Sequence, residues 1–394
     1  LKNTVGNLTI GNGGLRVSSN STLVGIDQIN SKNSTQTFGD NTQISLENTL
    51  VGVTTGDNEN GINVKNRVRG IEQANYRNGN SQIFGNNTQI NVKNYIGDLV
   101  SGGGESSINL ESLVVGVTQN GSSGNARQVF GENTQIKVES KAGSIKGADS
   151  TKIYFSAMGI QHASYGGGSQ MTFGNGTQIN VHAEVGALEG IQESSSSVNA
   201  YGIYSAGGAA ADLVFEGDLS VQATVKPLIR DGVVLVDQAN AYSLFADDDG
   251  AIRLNDQGAH KITLVGDLGT GEWGSENQVT VDLSNGASYF QGTAKAQEGN
   301  IFLTLAEGAT WRPQGDGDID ATFGASGGQL DLKSGGVVDL AWWNNQNSTL
   351  NPSNQFRTLT IDHATLEDGG IFRVNSDVLH GQADRINIVD ASGG

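Results

Sequence analysis

One heptapeptide phrase recurs down the first half of this chain: Phe38-Gly-Asp-Asn-Thr-Gln-Ile44, Phe84-Gly-Asn-Asn-Thr-Gln-Ile90, Phe130-Gly-Glu-Asn-Thr-Gln-Ile136 and Phe173-Gly-Asn-Gly-Thr-Gln-Ile179. A degraded fifth copy stands at Phe215-Glu-Gly-Asp-Leu-Ser-Val221, and successive phenylalanines lie 46, 46, 43 and 42 residues apart. Self-similarity at such a period means one supersecondary unit stacked repeatedly, because a single unit cannot bury its own apolar face. The chain must therefore form an elongated array. Arrays offer long surfaces more readily than deep pockets.

A second marker precedes each phenylalanine by 13 or 14 residues: Gly25-Ile-Asp-Gln28, Gly70-Ile-Glu-Gln73, Gly116-Val-Thr-Gln119, Gly159-Ile-Gln-His162 and Gly202-Ile-Tyr-Ser205. It reads as a small-residue turn. Between markers, apolar and polar residues alternate, as in Ile62-Asn-Val64 and Ile108-Asn-Leu110, with no 3.6-residue period. A helical-pair solenoid is excluded for want of amphipathic helices, and a propeller for want of recurrent hairpin signatures. The expected fold is all-β: a right-handed single-stranded parallel β-helix (β-solenoid) with a C-terminal cap. Coils of about 20–23 residues would make each repeat two coils, and roughly 17 coils would build a rod about 80 Å long at a spacing of roughly 4.8 Å. Regular repeats occupy 1–225, looser coils 226–345 and the cap 346–394.

Strand parity divides the phrase. Ile44 and Leu46 must face inward, so Thr42 does too, while Gln43, Ser45 and Glu47 face out. The same rule puts Gln89, Gln135 and Gln178 outside, with Asn91 beside them, and stacks the phenylalanines inside across a bend. Repeated polar groups at coil spacing could zip against the same ladder on an antiparallel copy, so Gln43, Gln89, Asn91, Gln135 and Gln178 are the candidate self-association residues.

Charge separates the two halves. Residues 1–150 carry 12 basic and 12 acidic side chains, whereas 231–394 carry 8 and 23, a net of −15 out of −18 for the chain. The acidic half argues against nucleic acid or anionic membranes as partners. The neutral half can approach a second copy of itself without strong repulsion. There is no cysteine, so stacked coils rather than disulfides must supply stability, and a cysteine-free chain suits export through a narrow conduit. No apolar run approaches transmembrane length. The start at Leu1 without Met fits removal of a signal peptide.

Family resemblance enters in the C-terminal third. Leu303-Thr-Leu-Ala-Glu-Gly-Ala-Thr-Trp311 resembles the Leu-x-Leu-x-x-Gly-Ala-x-Trp coil of autotransporter passengers, and Val279-Thr-Val-Asp-Leu-Ser-Asn-Gly-Ala-Ser288 a related coil. The stretch from Phe356-Arg-Thr-Leu-Thr-Ile361 through Gly369-Gly-Ile-Phe-Arg-Val374, Asp377, Ala383-Asp-Arg-Ile386 and Gly393-Gly394 is similar to the pertactin-like C-terminal passenger segment. The resemblance covers about 260–394, and over 1–225 it is a generic likeness to AIDA-type adhesin coils. It implies type V secretion, with an outer-membrane β-barrel of the same precursor carrying the passenger to the bacterial surface. In that family the final segment caps the helix and serves as an autochaperone, so a chain lacking 346–394 is expected to fold poorly.

Catalytic signatures are missing from the sequence. No Gly-x-Ser-x-Gly elbow occurs, and the five histidines (His162, His182, His260, His363, His380) are dispersed, as surface or coil-edge residues would be. Two acidic clusters invite inspection: Asp247-Asp-Asp249 and Asp316-Gly-Asp318-Ile-Asp320. Alternation places Asp316, Asp318 and Asp320 on one face, where they could bind calcium, although no EF-hand spacing is present. Trp342 and Trp343 should point to opposite faces, one into the core and the other exposed, where it could stack on a sugar, or covered by the cap. The expected function is a non-enzymatic, cofactor-free surface adhesin whose partner is another copy of itself on a neighbouring cell. The alternatives are a host matrix protein or glycan as partner, or a polysaccharide-degrading β-helix, which a groove of clustered carboxylates plus a basic residue would favour.

Overall fold

Every second residue of Gln43–Leu50, Gln89–Ile96 and Gln135–Ala142 is buried, as strands with one face on a core require. A computed structural model describes the chain apart from residues 11–16, 30–32, 57–60, 76–78, 103–105, 122–125, 166–167, 209–211, 236–237, 315–319, 324–326, 343–355 and 394. It is an all-β parallel solenoid. The phrase strands lie side by side in one eleven-stranded sheet, with Gln43 opposite Gln89, Gln89 opposite Gln135 and Gln135 opposite Gln178.

That register corrects the expected coil. Each strand pairs with its counterpart one whole repeat away, so a repeat is one coil and not two. A coil in this half runs through four strands, for example Gln89–Ile96, Leu99–Val100, Ser107–Gly121 and Arg127–Phe130. Further along, the coil contracts: Thr263 pairs with Tyr289, Tyr289 with Thr310 and Thr310 with Val337. Only there do coils approach the expected length. Among the described residues, eleven strands in the phrase sheet make ten steps of roughly 4.8 Å, which span about 50 Å rather than the expected 80 Å.

The glycine marker is not a turn. Gly25, Gly70, Gly116, Gly159 and Gly202 sit inside the long strands, where the ladder pairing skips the glycine. A Cβ on any of them would come within 3.0 Å of the next coil's backbone carbonyl and of an Ile, Val or Leu side chain from the phrase sheet. Only glycine lets the two sheets approach so closely. The long strand folds here, so residues on either side of the glycine meet on its outer surface. Arg69 pairs with Glu72 at 2.9 Å, and Tyr201 lies edge-on to Tyr204 at 5.5 Å. Val115, Met158, Tyr201 and Phe245 form a small second apolar cluster in the crease.

Each position of the phrase has a structural task. Phe38, Phe84, Phe130, Phe173 and Phe215 form one stack with centroids 4.7, 4.8, 4.7 and 5.2 Å apart, as parity predicts. Asn41, Asn87 and Asn133 adopt positive φ (59°, 56° and 57°), and Gly176 takes the same place with φ 77°. Asn and Gly are the residues that tolerate this bend. The threonine hydroxyl closes the bend by donating to the glycine carbonyl three residues back, at 2.6 Å for Thr42 and 2.9 Å for Thr88.

Polar ladders also run through the interior, and the sequence did not announce them. Gln73 Nε2 donates to Gln28 Oε1 and Gln119 Nε2 to Gln73 Oε1, both at 2.8 Å. Gln36, Gln82 and Gln128 repeat the pattern at 2.9 and 2.7 Å. Asn3, Asn48 and Asn94 form a third column. An unpaired buried amide costs about 1–3 kcal/mol, so identical amides stacked at coil spacing satisfy one another.

At the C-terminal end, Thr358–Leu366 pairs with both Asp320–Phe323 and Gly328–Leu332, and Arg385–Ser392 pairs with Thr358–Leu366 in turn. The buried Asp384 carboxylate accepts from the backbone N–H groups of Arg357 (2.9 Å) and Asn375 (2.7 Å).

Candidate interaction face

The outer face of the phrase sheet carries the sequence-predicted residues, and the structure brings all five together. Gln43, Gln89, Gln135 and Gln178 form one column, which continues through Ser220 to Thr263. Two residues along, Ser45, Asn91, Lys137, Asn180 and Gln222 form a second. Gln43, Gln135 and Gln178 are exposed, while Gln89 and Asn91 are half-buried between their neighbours. The five backbones are fixed by ladder bonds, so the side chains project from a rigid surface at a set spacing.

Two further columns sequence reasoning left unread. Lys2, Glu47, Lys93 and Glu139 succeed one another up the sheet with alternating sign, followed by His182. The next column contains Tyr95, Lys141 and Glu184, with Lys226 bonded to Glu184 at 2.7 Å. The period-46 register was the available signal, because it aligns these charges once each repeat is taken as one coil. Hydrogen bonding from Lys2 holds the Glu47 carboxyl below its ordinary range, and hydrogen bonding from Lys226 does the same for Glu184. Short side chains at Ser220 and Thr263 leave a depression of about 380 Å³ bordered by Gln178 and Lys261.

Other sequence candidates fare differently. Asp316 and Asp318 lie outside the described residues, and Asp320 opens the strand Asp320–Phe323. Among the described residues no group of three His, Asp or Glu side chains could hold a metal. Trp343 is likewise outside the described residues. Trp342 is half-buried, with its indole N–H 3.4 Å from the Pro313 carbonyl. His162 corrects the expectation of surface histidines. It is fully buried at the position occupied by Gln119 in the preceding coil, and burial pushes its pKa down to about 4. A groove with carboxylates and a basic side chain does occur, around Asp249, Arg253 and Glu276. It lies away from the phrase sheet. No described helix is long and apolar enough to cross a membrane. No protein-family model matches this chain, and no curated protein matches it.

Proposed function

We propose that this chain is the passenger of a bacterial autotransporter, displayed at the cell surface. In this reading it is a non-enzymatic adhesin whose phrase-sheet face binds the same face of a copy on a neighbouring cell. The observation that carries the reading is the register of four side-chain columns across that face, two rich in amides and two with alternating charge. An amide column presents donors and acceptors that match its own copy. The column Lys2, Glu47, Lys93, Glu139 also matches its own antiparallel copy in full register, since Lys2 then faces Glu139 and Glu47 faces Lys93.

Each intermolecular hydrogen bond contributes only about 0.5–1.5 kcal/mol net. One pair of rods would therefore associate weakly, and adhesion between cells would come from many rods engaged at once. Weak single contacts and strong collective ones are what a cell-to-cell linker needs.

The test is a settling assay with cells displaying the chain. Cells carrying Gln89→Lys, Asn91→Lys and Gln135→Lys together should stay dispersed, with the circular-dichroism spectrum and melting temperature of the purified chain unchanged. Mixing them with cells carrying Glu at the same three positions should restore clumping. Settling that is unchanged in the Lys variant, or absent from the mixed population, would refute the face assignment.

A further inference from the structure

The four-strand coil ends at Asp212–Phe215, which pairs with Gln170–Phe173 on one side and is the edge of its sheet on the other. In the next coil the chain turns instead at Asp248 and Asp249, both left-handed (φ 51° and 61°), and runs into Ala251–Asn255. That strand pairs with Gln278–Leu283 and not with Asp212–Phe215, and the break in the ladder leaves a cleft of about 480 Å³, lined by Val214 of the terminated strand together with Asp249, Arg253, Glu276, Gln278 and Asn300.

The lining is fixed by bonds between the two turns beside it. Asp249 Oδ1 accepts from the Glu276 N–H at 3.0 Å, and Asp248 N–H donates to the Trp273 carbonyl at 2.6 Å. The Arg253 guanidinium donates to Gln278 Oε1 at 3.1 Å. Trp273 stands on the turn that supplies Glu276 and leaves 72% of its surface exposed. No other described tryptophan is so placed: Trp311 is fully buried and Trp342 half-buried.

We propose that this cleft binds a neutral oligosaccharide. Carboxylates, primary amides and a guanidinium offer paired acceptors and donors at the spacing of neighbouring sugar hydroxyls. The exposed Trp273 indole, outside the lining but three residues before Glu276, offers a flat apolar surface on which a ring of a saccharide extending out of the cleft packs. The volume lies in the range of small-molecule sites. Charge selects among saccharides. Asp249 and Glu276 share the cleft with Arg253 within a region of net charge −15, which repels sulfated and uronic-acid chains. The cleft is on a different sheet from the self-association face, so this inference does not rest on the function proposed above.

The experiment is calorimetric titration of the purified chain with maltohexaose, cellohexaose, mannohexaose and chitohexaose, with a heparin hexasaccharide as acidic comparison. At least one neutral hexasaccharide should saturate and shift the tryptophan emission. Trp273→Ala and Glu276→Gln should each weaken it by about tenfold or more, at unchanged melting temperature, while Gln178→Ala on the other face has no effect. The proposal is overturned if no neutral hexasaccharide saturates by about 10 mM. It is also overturned if heparin binds more tightly than all of them, or if binding survives Trp273→Ala combined with Arg253→Ala. Release of shorter saccharides would overturn it too, by making the cleft an active site.

Discussion

Replacing Phe130 by alanine removes the middle of the phenylalanine column. Its ring lies 4.8 Å from Phe84 and 4.7 Å from Phe173, with planes within 3°, and only 1% of the residue is exposed. Large-to-small changes at buried aromatic sites cost about 3–5 kcal/mol. The two lost ring contacts account for about 0.5–1.5 kcal/mol each. Phe38 supplies the internal control, because it begins the column, has one ring neighbour at 4.7 Å and is half-buried. Phe38→Ala should therefore cost roughly half as much, about 2 kcal/mol. Phe130→Leu keeps much of the volume but loses both stacks, and should cost about 1–3 kcal/mol. Urea unfolding followed by circular dichroism reads the global effect. Hydrogen exchange of the Gln43–Leu50 amides detects local opening of the end coil, which a stacked array permits. Equal losses for Phe38→Ala and Phe130→Ala, or a loss below about 1 kcal/mol for Phe130→Ala, would refute the claim that the column holds the coils together.

Two other predictions concern single positions. Gly39 and Gly85 occupy the same place in the phrase. A Cβ at Gly39 meets nothing within 4 Å, whereas one at Gly85 falls within 3.0 Å of the Asp40 nitrogen and the Gly39 carbonyl carbon. Gly39→Ala should change stability by less than about 0.5 kcal/mol and Gly85→Ala should destabilise by about 1–3 kcal/mol; matched melting temperatures would contradict this. His162 is held neutral by burial, with its pKa lowered from 6.5 to about 4. Below pH 6.5 the unfolded chain takes up a proton that the folded chain cannot, so stability is full above that pH and falls towards pH 4, by roughly 3 kcal/mol in total. His162→Gln removes this loss and offers an amide donor towards the unpaired Gln119 Oε1. The difference in melting temperature between pH 7.5 and pH 5 should shrink; an equal difference in both proteins would show that another group is responsible.

Much of the architecture is legible in the sequence. The repeated phrase required an array, alternation required strands, and parity placed Phe84 and Ile90 inside and Gln89 outside. Each is a local property, because successive side chains in a strand alternate faces wherever that strand ends up. Coil length was not local. It depends on how many strands close one circuit, and so on the fold of the long strand at Gly116, where the carbonyl of Gly159 in the next coil leaves no room for a Cβ. The same folding carries Gln73 and Gln119 into the interior and buries His162, which no alternation rule applied across a glycine could have revealed. The charge columns became visible only once Glu47 stood opposite Lys93. The cleft at Asp249 and Glu276 exists because Ala251–Asn255 does not continue the ladder that ends at Asp212–Phe215, and pairs only with the following coil. Sequence alone determined that this chain is a stack of strands with an amide-rich outer column. Tertiary structure decided what lies above what, because residues 46 apart become neighbours only when the coil closes at that length.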